Sequence, residues 1–166
     1  MSIYTNQNNI IMTDALIRRA QKNDIPFITS FNQKMAKETE NIQLDETILK
    51  NGVVSLFDQP QYGFYCVAEV DGRIVGQLMI TYEWSDWRNG LFWWIQSVYI
   101  IPDFRGKGIY KQLHSFILKE SSKHSVCGIR LYVDKDNTNA KNVYKKCGMS
   151  MSHYDMFESD FVLGKR

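Results

Sequence analysis

Cysteine is scarce. The chain has only Cys66, Cys127 and Cys147 in 166 residues, far apart and odd in number, with no C-x-x-C pair. That pattern excludes a disulfide framework and reads as reduced thiols in a cytoplasmic protein. His114, His124 and His153 are equally scattered, none at a ligand-like spacing from a cysteine, so no metal site is expected. Net charge is also missing: 20 basic against 18 acidic residues leave +2, which singles out neither nucleic acid nor an anionic membrane as partner. No apolar run approaches membrane-spanning length, and the opening MSIYTNQNNIIM lacks both a charged n-region and a long apolar h-region. Residues 1–12 are expected to form a flexible arm. There is no internal repeat and no linker.

What is present is an ordinary globular composition, 44% apolar and 23% charged, long enough for one good core. A single domain over residues 13–166 is expected. Ala15 to Ala20 suits a short strand. Asp24 and Pro26 then open a helix in which Ile25, Ile28, Phe31 and Met35 recur near helical spacing. Asp45 caps a second, short helix through Lys50, stopped by Asn51-Gly52. Phe64 to Val70 and Arg73 to Tyr82 flank Asp71-Gly72, a strong hairpin signal. Leu91 to Ile100 makes a long strand. A helix to about Lys123 follows, with an apolar stripe of Ile109, Leu113, Phe116 and Ile117. Val126 to Val133 is a strand, Thr138 to Lys146 a helix, and GMSMSHYDMF the last β segment. Antiparallel strands first and a strand-helix-strand crossover second imply a mixed sheet with helices on both faces.

Arg105-Gly106-Lys107-Gly108 sits where a strand gives way to a helix. N–H groups of a first helical turn have no partner within the helix, and the macrodipole adds roughly half a positive charge, so the place suits an anion. Glycine lets a ligand approach the main chain, and Arg105, Lys107 and Lys111 add formal charge. A phosphate is the natural guest. Neither a Walker loop nor a dinucleotide fingerprint fits, since Lys111 stands where the latter needs its third glycine. The bland alternative is that both glycines merely make a tight turn.

With Val98, Pro102, Arg105, Gly106, Lys107 and Gly108 in this order, followed by Asn137, Ala140, Tyr144, Gly148 and Met149, the chain resembles the GNAT superfamily of acyl-CoA-dependent N-acetyltransferases. The first set matches that family's [QR]-x-x-G-x-[GA] signature and the second its N-x-x-A-x-x-x-Y-x-x-x-G-[FM] pattern. Tyr110 departs, standing where the family has glycine or alanine. The hairpin VAEVDGRIVGQLMI is also familiar, so the resemblance runs from about Ile17 to Phe157. It implies an α/β (α+β) acyl-CoA N-acyltransferase fold, with a mixed, mainly antiparallel sheet of six to seven strands and helices on both faces. Homodimers are common among such proteins.

The resemblance further implies acetyl-CoA as co-substrate. Its pantetheine arm would lie along Val98, Tyr99 and Ile100, and its pyrophosphate would be surrounded by Arg105, Gly106, Lys107, Gly108, Ile109, Tyr110 and Lys111. Asn137 would hold the pantetheine, and Tyr144 would sit near the thioester sulfur as general acid. Each has a plainer role open to it: Asn137 as a helix cap, Tyr144 as a packed core residue. An amine of pKa ~10.4 is free base about once in 2,500 molecules at pH 7, which adds roughly 4.6 kcal/mol to the apparent barrier. A base is therefore needed. Glu83 is the expected one, because Trp84 and Trp87 flank it and would lower its local dielectric. Glu38 and Glu40, expected between the first two helices, and Asp86 complete an acidic border for a small cationic, polyamine-like acceptor; solvated surface roles stay open for all four. A peptide N-terminus or protein lysine, an amino-sugar antibiotic, or no transfer at all in an acyl-CoA-binding sensor are the alternatives.

Overall fold

At Asp71-Gly72 the chain reverses as the dipeptide requires: both residues have positive φ, 51° and 75°, and the strands on either side pair antiparallel. The computed structural model describes residues 13–162, so the expected arm, residues 1–12, lies outside the described residues. The strands are β1 (Leu16–Arg19), β2 (Gly63–Val70), β3 (Arg73–Ser85), β4 (Gly90–Ile100) and β5 (Val126–Arg130). They form one sheet in the order β1-β2-β3-β4-β5, antiparallel except for the parallel β4–β5 pair. The mixed, mainly antiparallel architecture is as expected; the strand number is not. Among the described residues there are five strands rather than six or seven, because GMSMSHYDMF forms none. Met151, Tyr154, Met156 and Phe157 are exposed there, and apolar alternation makes a strand only where a ladder partner and a buried face are supplied.

The described chain forms two compact units, one ending at Tyr132 and the other beginning at Val133. The sheet belongs to the first, with helices α1 (Ile25–Glu40), α2 (Glu46–Asp58) and α3 (Ile109–Ser121). In α1, Ile28 and Phe31 are buried. Its preceding Asp24 does not cap it by side chain: that carboxylate accepts from Gln21 N at 2.7 Å and pairs with Arg18. Asp45 does cap α2, accepting from Ile48 N at 2.8 Å. The expected stop at Asn51-Gly52 fails, since α2 runs on to Asp58. Val53, 2% exposed, packs into the core with Leu49, Leu56 and Phe57 beside it, and burial of that face outweighs about 1 kcal/mol of glycine penalty. A Cβ on Gly52 would touch nothing within 4 Å. Gly52→Ala is therefore expected to raise stability by about 0.5–1 kcal/mol, read as a higher urea midpoint at unchanged slope.

Two neighbouring residues of β3 show how the layers are arranged. Successive strand residues face opposite sides. Gln77 donates to Asn32 of α1, whereas a Cβ on Gly76 would lie 3.4 Å from Ile109 of α3. Helices α1 and α3 thus cover opposite faces, and Gly76 is where the start of α3 comes close to the sheet. The stripe of Ile109, Leu113 and Ile117 is buried there, with Phe116 partly so. Trp93 and Trp94 split as alternation requires, Trp93 in the core and Trp94 half-buried on the other face. No helix among the described residues is long and apolar enough to cross a membrane, and no cluster of three or more His, Cys, Asp or Glu among them could hold a metal.

Candidate functional site

After β4 the chain is pinned to the sheet by Ile101 N donating to Val75 O at 3.0 Å, and a short turn over Pro102–Phe104 leads to the glycines. Gly106 and Gly108 have φ of 75° and 83°. A side chain in that conformation costs about 1–2 kcal/mol, so the turn itself requires them. A ligand role is not displaced by this. Among the described residues, the N–H groups of Gly106, Lys107, Gly108, Ile109 and Lys111 find no acceptor, whereas Gly108 O already receives Gln112 N. Lys107 and Lys111 are exposed around these donors, and a Cβ on Gly106 would meet nothing within 4 Å. The result is a positively biased main-chain surface at the mouth of α3, with Thr13 beside it donating its N–H to Lys107 O at 3.1 Å. Tyr110 is 8% exposed, its ring turned inward beside His114 at 6.0 Å between centroids, so the departure from the family pattern adds core packing rather than a side chain over the turn.

Beside this turn, β4 is irregular. Gln77 faces Tyr99 and Met79 faces Gln96, so the single Leu78 opposes both Ser97 and Val98. This is a β-bulge, and Ser97 carries φ of 49° at it. Pairing of β4 with β5 ends at Trp94↔Arg130, short of the bulge. From there to Ile100, β4 stays paired with β3 but not with β5, and the strands part. Val98, Tyr99 and Ile100 stand on that stretch, which ends at the glycine turn. The Tyr99 side chain is spoken for: it is 4% exposed and its hydroxyl donates to Glu38 at 2.8 Å.

The expected acidic border is rearranged. Helix α1 extends through Glu40, so Glu38 and Glu40 lie in its last turns rather than in a connection. Glu38 accepts from Tyr99 and from Arg105 at 2.6 Å, while Arg105 Nε donates to Ile100 O at 2.8 Å. Desolvation works to raise the Glu38 pKa, but the bonds from Arg105 and Tyr99 and the charges of Arg105 and Lys34 together hold it below the ordinary value. Burial and Glu38 push the Tyr99 phenol up. Arg105 therefore braces β4 against α1 with its side chain.

Glu83 is held by Arg130 at 2.8 Å and by the indole N–H of Trp94. The reasoning from Trp84 and Trp87 fails: they are 61% and 88% exposed and enclose nothing, because Trp84 lies on the opposite face of β3 from Glu83 and Trp87 follows in the loop. Arg130 lies 3.6 Å from the Phe92 ring centroid, and that ring sits where a Cβ on Gly128 would come within 2.5 Å. Asp86 accepts from Trp87 N at 2.8 Å. Nearby, Tyr132 donates to Gln96 Oε1 at 3.2 Å, and Gln96 donates to Thr81 at 2.6 Å. Arg130, Tyr132 and Gln77 were not picked out from sequence; a glutamine inside the apolar run IVGQLMI was the available signal.

In the second unit, the spacing of the downstream pattern is that of one helix with its two ends. Helix α4 runs Thr138–Lys146. Asn137 caps it, accepting from Ala140 N at 3.0 Å. Gly148 (φ 86°) ends it: Met149 N donates to Tyr144 O at 3.1 Å and Gly148 N to Lys145 O at 3.0 Å, a Schellman closure. Tyr144 is half-buried, and burial, with Cys147 adding to it, pushes its phenol above the ordinary value.

The parting of β4 from the edge strand β5, with a glycine turn opening the helix after β4, defines an α/β protein in which main-chain donors adjoin an unpaired stretch of strand. The chain belongs to the Acetyltransferase (GNAT) family, whose pattern matches residues 25–149. It is similar to a possible acetyltransferase from Clostridium difficile 630, at 43% identity and TM-score 0.82 over 89% of this chain and 98% of that one. A predicted acetyltransferase with acetyl-CoA from Clostridium acetobutylicum shares the fold, at 20% identity and TM-score 0.73 over 88% and 96%. Streptothricin acetyltransferase of Escherichia coli is 29% identical over 60% of this chain, which spans only 52% of that relative's length.

Proposed function

We propose that the protein is an N-acetyltransferase that moves the acetyl group of acetyl-CoA directly onto a primary amine. The observation that carries this reading is the set of main-chain donors at the mouth of α3, continuous with the stretch of β4 that β5 leaves unpaired. The donors from Gly106 to Lys111, with Lys107 and Lys111, suit a diphosphate, and Val98 to Ile100 suit an extended arm. Acetyl-CoA supplies an activated acyl thioester. The main-chain N–H of Val98 stabilises charge building on its carbonyl oxygen, Asn137 holds the arm, and Tyr144 gives a proton to the departing thiolate.

For proton removal we propose Glu83, which must exchange its bonds to Arg130 and Trp94 for the incoming amine or a water. The acceptor class is a small cationic amine. Glu38 and Glu83 each face an arginine, and Asp86 in the loop after β3 is the carboxylate that supports that class. That Cys66, Cys127 and Cys147 form no disulfide fits a cytoplasmic setting, and burial has pushed the Cys66 thiol up to about 12, which leaves it inert.

The test is thiol release from acetyl-CoA with a panel of polyamines, amino sugars, peptides with free N-termini and lysine-containing proteins. Fastest turnover with polyamines is expected. Turnover confined to peptides or proteins would move the acceptor class, and tight acetyl-CoA binding with no release on any amine would replace the enzyme by a sensor.

A further inference from the structure

Gln77 is fully buried in the middle of β3, among apolar neighbours. Its Nε2 donates to Asn32 Oδ1 at 2.7 Å and to Ser97 O at 3.3 Å. Asn32, 6% exposed on α1, donates in turn to the Tyr65 hydroxyl of β2 at 3.1 Å, and Ser97 hydrogen-bonds that same hydroxyl through its side chain. Side chains from α1, β2 and β3 thus converge on the one residue of β4 that has positive φ. Core stability alone does not account for the cluster, because the buried Gln77 Oε1 has no hydrogen-bond partner among the described residues. A methionine of similar volume would leave no such orphan.

We infer that Gln77, fixed by Asn32, is a positioning residue that locks the β4 bulge at Ser97 and so sets the direction in which Val98 presents its main-chain N–H. The inference rests on the reading that an acyl thioester lies along this stretch of β4. Gln77 touches no substrate; it acts through Ser97. Loss of its amide lets the Ser97 peptide relax toward regular strand geometry, which turns the following N–H away while leaving the diphosphate turn at Gly106 to Lys111 untouched. The expected signature is a loss of rate without a loss of cofactor affinity.

The experiment compares wild type with Gln77→Met and Asn32→Leu. Each is expected to keep its Tm within a few degrees and its acetyl-CoA affinity by calorimetry, while kcat falls at least tenfold with little change in KM for the amine. In amide-resolved NMR spectra the Ser97 and Val98 resonances shift or broaden, and those of Gly106 and Gly108 stay in place. A merely structural role predicts the reverse, a lower Tm with kcat retained in the folded fraction. Unmoved Ser97 and Val98 resonances, or an unchanged kcat in either folded variant, would overturn the inference. If wild type itself neither binds acetyl-CoA nor transfers, the functional reading fails, and the two resonances still decide whether Gln77 sets the bulge. Should Gln77→Met not fold, Asn32→Leu carries the same readouts, since it removes the acceptor that orients the glutamine.

Discussion

Tyr144→Phe lowers kcat about a hundredfold or more and leaves acetyl-CoA affinity within a factor of two. General acid catalysis contributes typically 10²–10⁴-fold, and phenylalanine preserves the ring while removing the proton that the proposed function has Tyr144 give to a leaving thiolate of intrinsic pKa ~8.5. The Tyr144 phenol is raised by burial, with Cys147 as the second cause, so it is the protonated, donating form that persists through neutral and moderately alkaline pH. A catalytic acid works only while protonated. Its contribution is therefore present at low and neutral pH and is lost as pH rises through a value above the ordinary ~10 of a phenol. Stopped-flow or thiol-release profiles of kcat should show no alkaline fall belonging to Tyr144 below that range. A fall centred near pH 8 that disappears in Tyr144→Phe, or a variant that transfers at the wild-type rate, would remove this residue from the acid role.

Gly63→Ala is the change expected to cost most in folding. At Gly63, where β2 begins opposite Thr81, φ is 149° and a Cβ would stand 1.8 Å from Ile80 O. The neighbour is main chain in the centre of the sheet and cannot rotate away as a side chain would. A loss of about 3–5 kcal/mol is expected, at the severe end for one substitution, which for a chain of this size is a fall in Tm of about 10 °C. Urea unfolding checks it. The contrast with Gly52→Ala is instructive, because that glycine lies in a helix with open space about it; a Gly63→Ala protein as stable as wild type would mean that β2 enters the sheet differently.

Much of the fold was legible because its signals are local. Asp71-Gly72 supports positive φ in both residues, Asp45 can reach its own helix's N–H, and Asn137 and Gly148 mark the ends of a helix at the spacing a helix imposes. Trp93 and Trp94 separate to opposite faces for the same kind of reason. The glycine turn was equally readable, since two glycines between a strand and a helix expose donors whatever the rest of the chain does. Where the reading failed, distant partners decided. Asn51-Gly52 looks like a helix stop until Val53 finds the core. GMSMSHYDMF alternates as a strand does, yet has no ladder partner among the described residues. Trp84 and Trp87 seemed to shelter Glu83, but strand alternation and an open loop leave both in solvent.

The candidate site divides along the same line. By itself the amino-acid sequence determined the family, the order of elements as far as α4 and the place of the glycine turn, because each depends on neighbours a few residues apart and on backbone conformations that only glycine, or a capping side chain, supports. Tertiary structure alone decided what the charged and buried polar groups are for. Glu38 meets Arg105 across 67 residues, Glu83 meets Arg130 across 47, and Gln77 reaches Asn32 across 45. Ion pairs and buried amides depend on distances of a few ångströms between strands and helices that the chain brings together only on folding, and linear spacing carries almost no record of such distances.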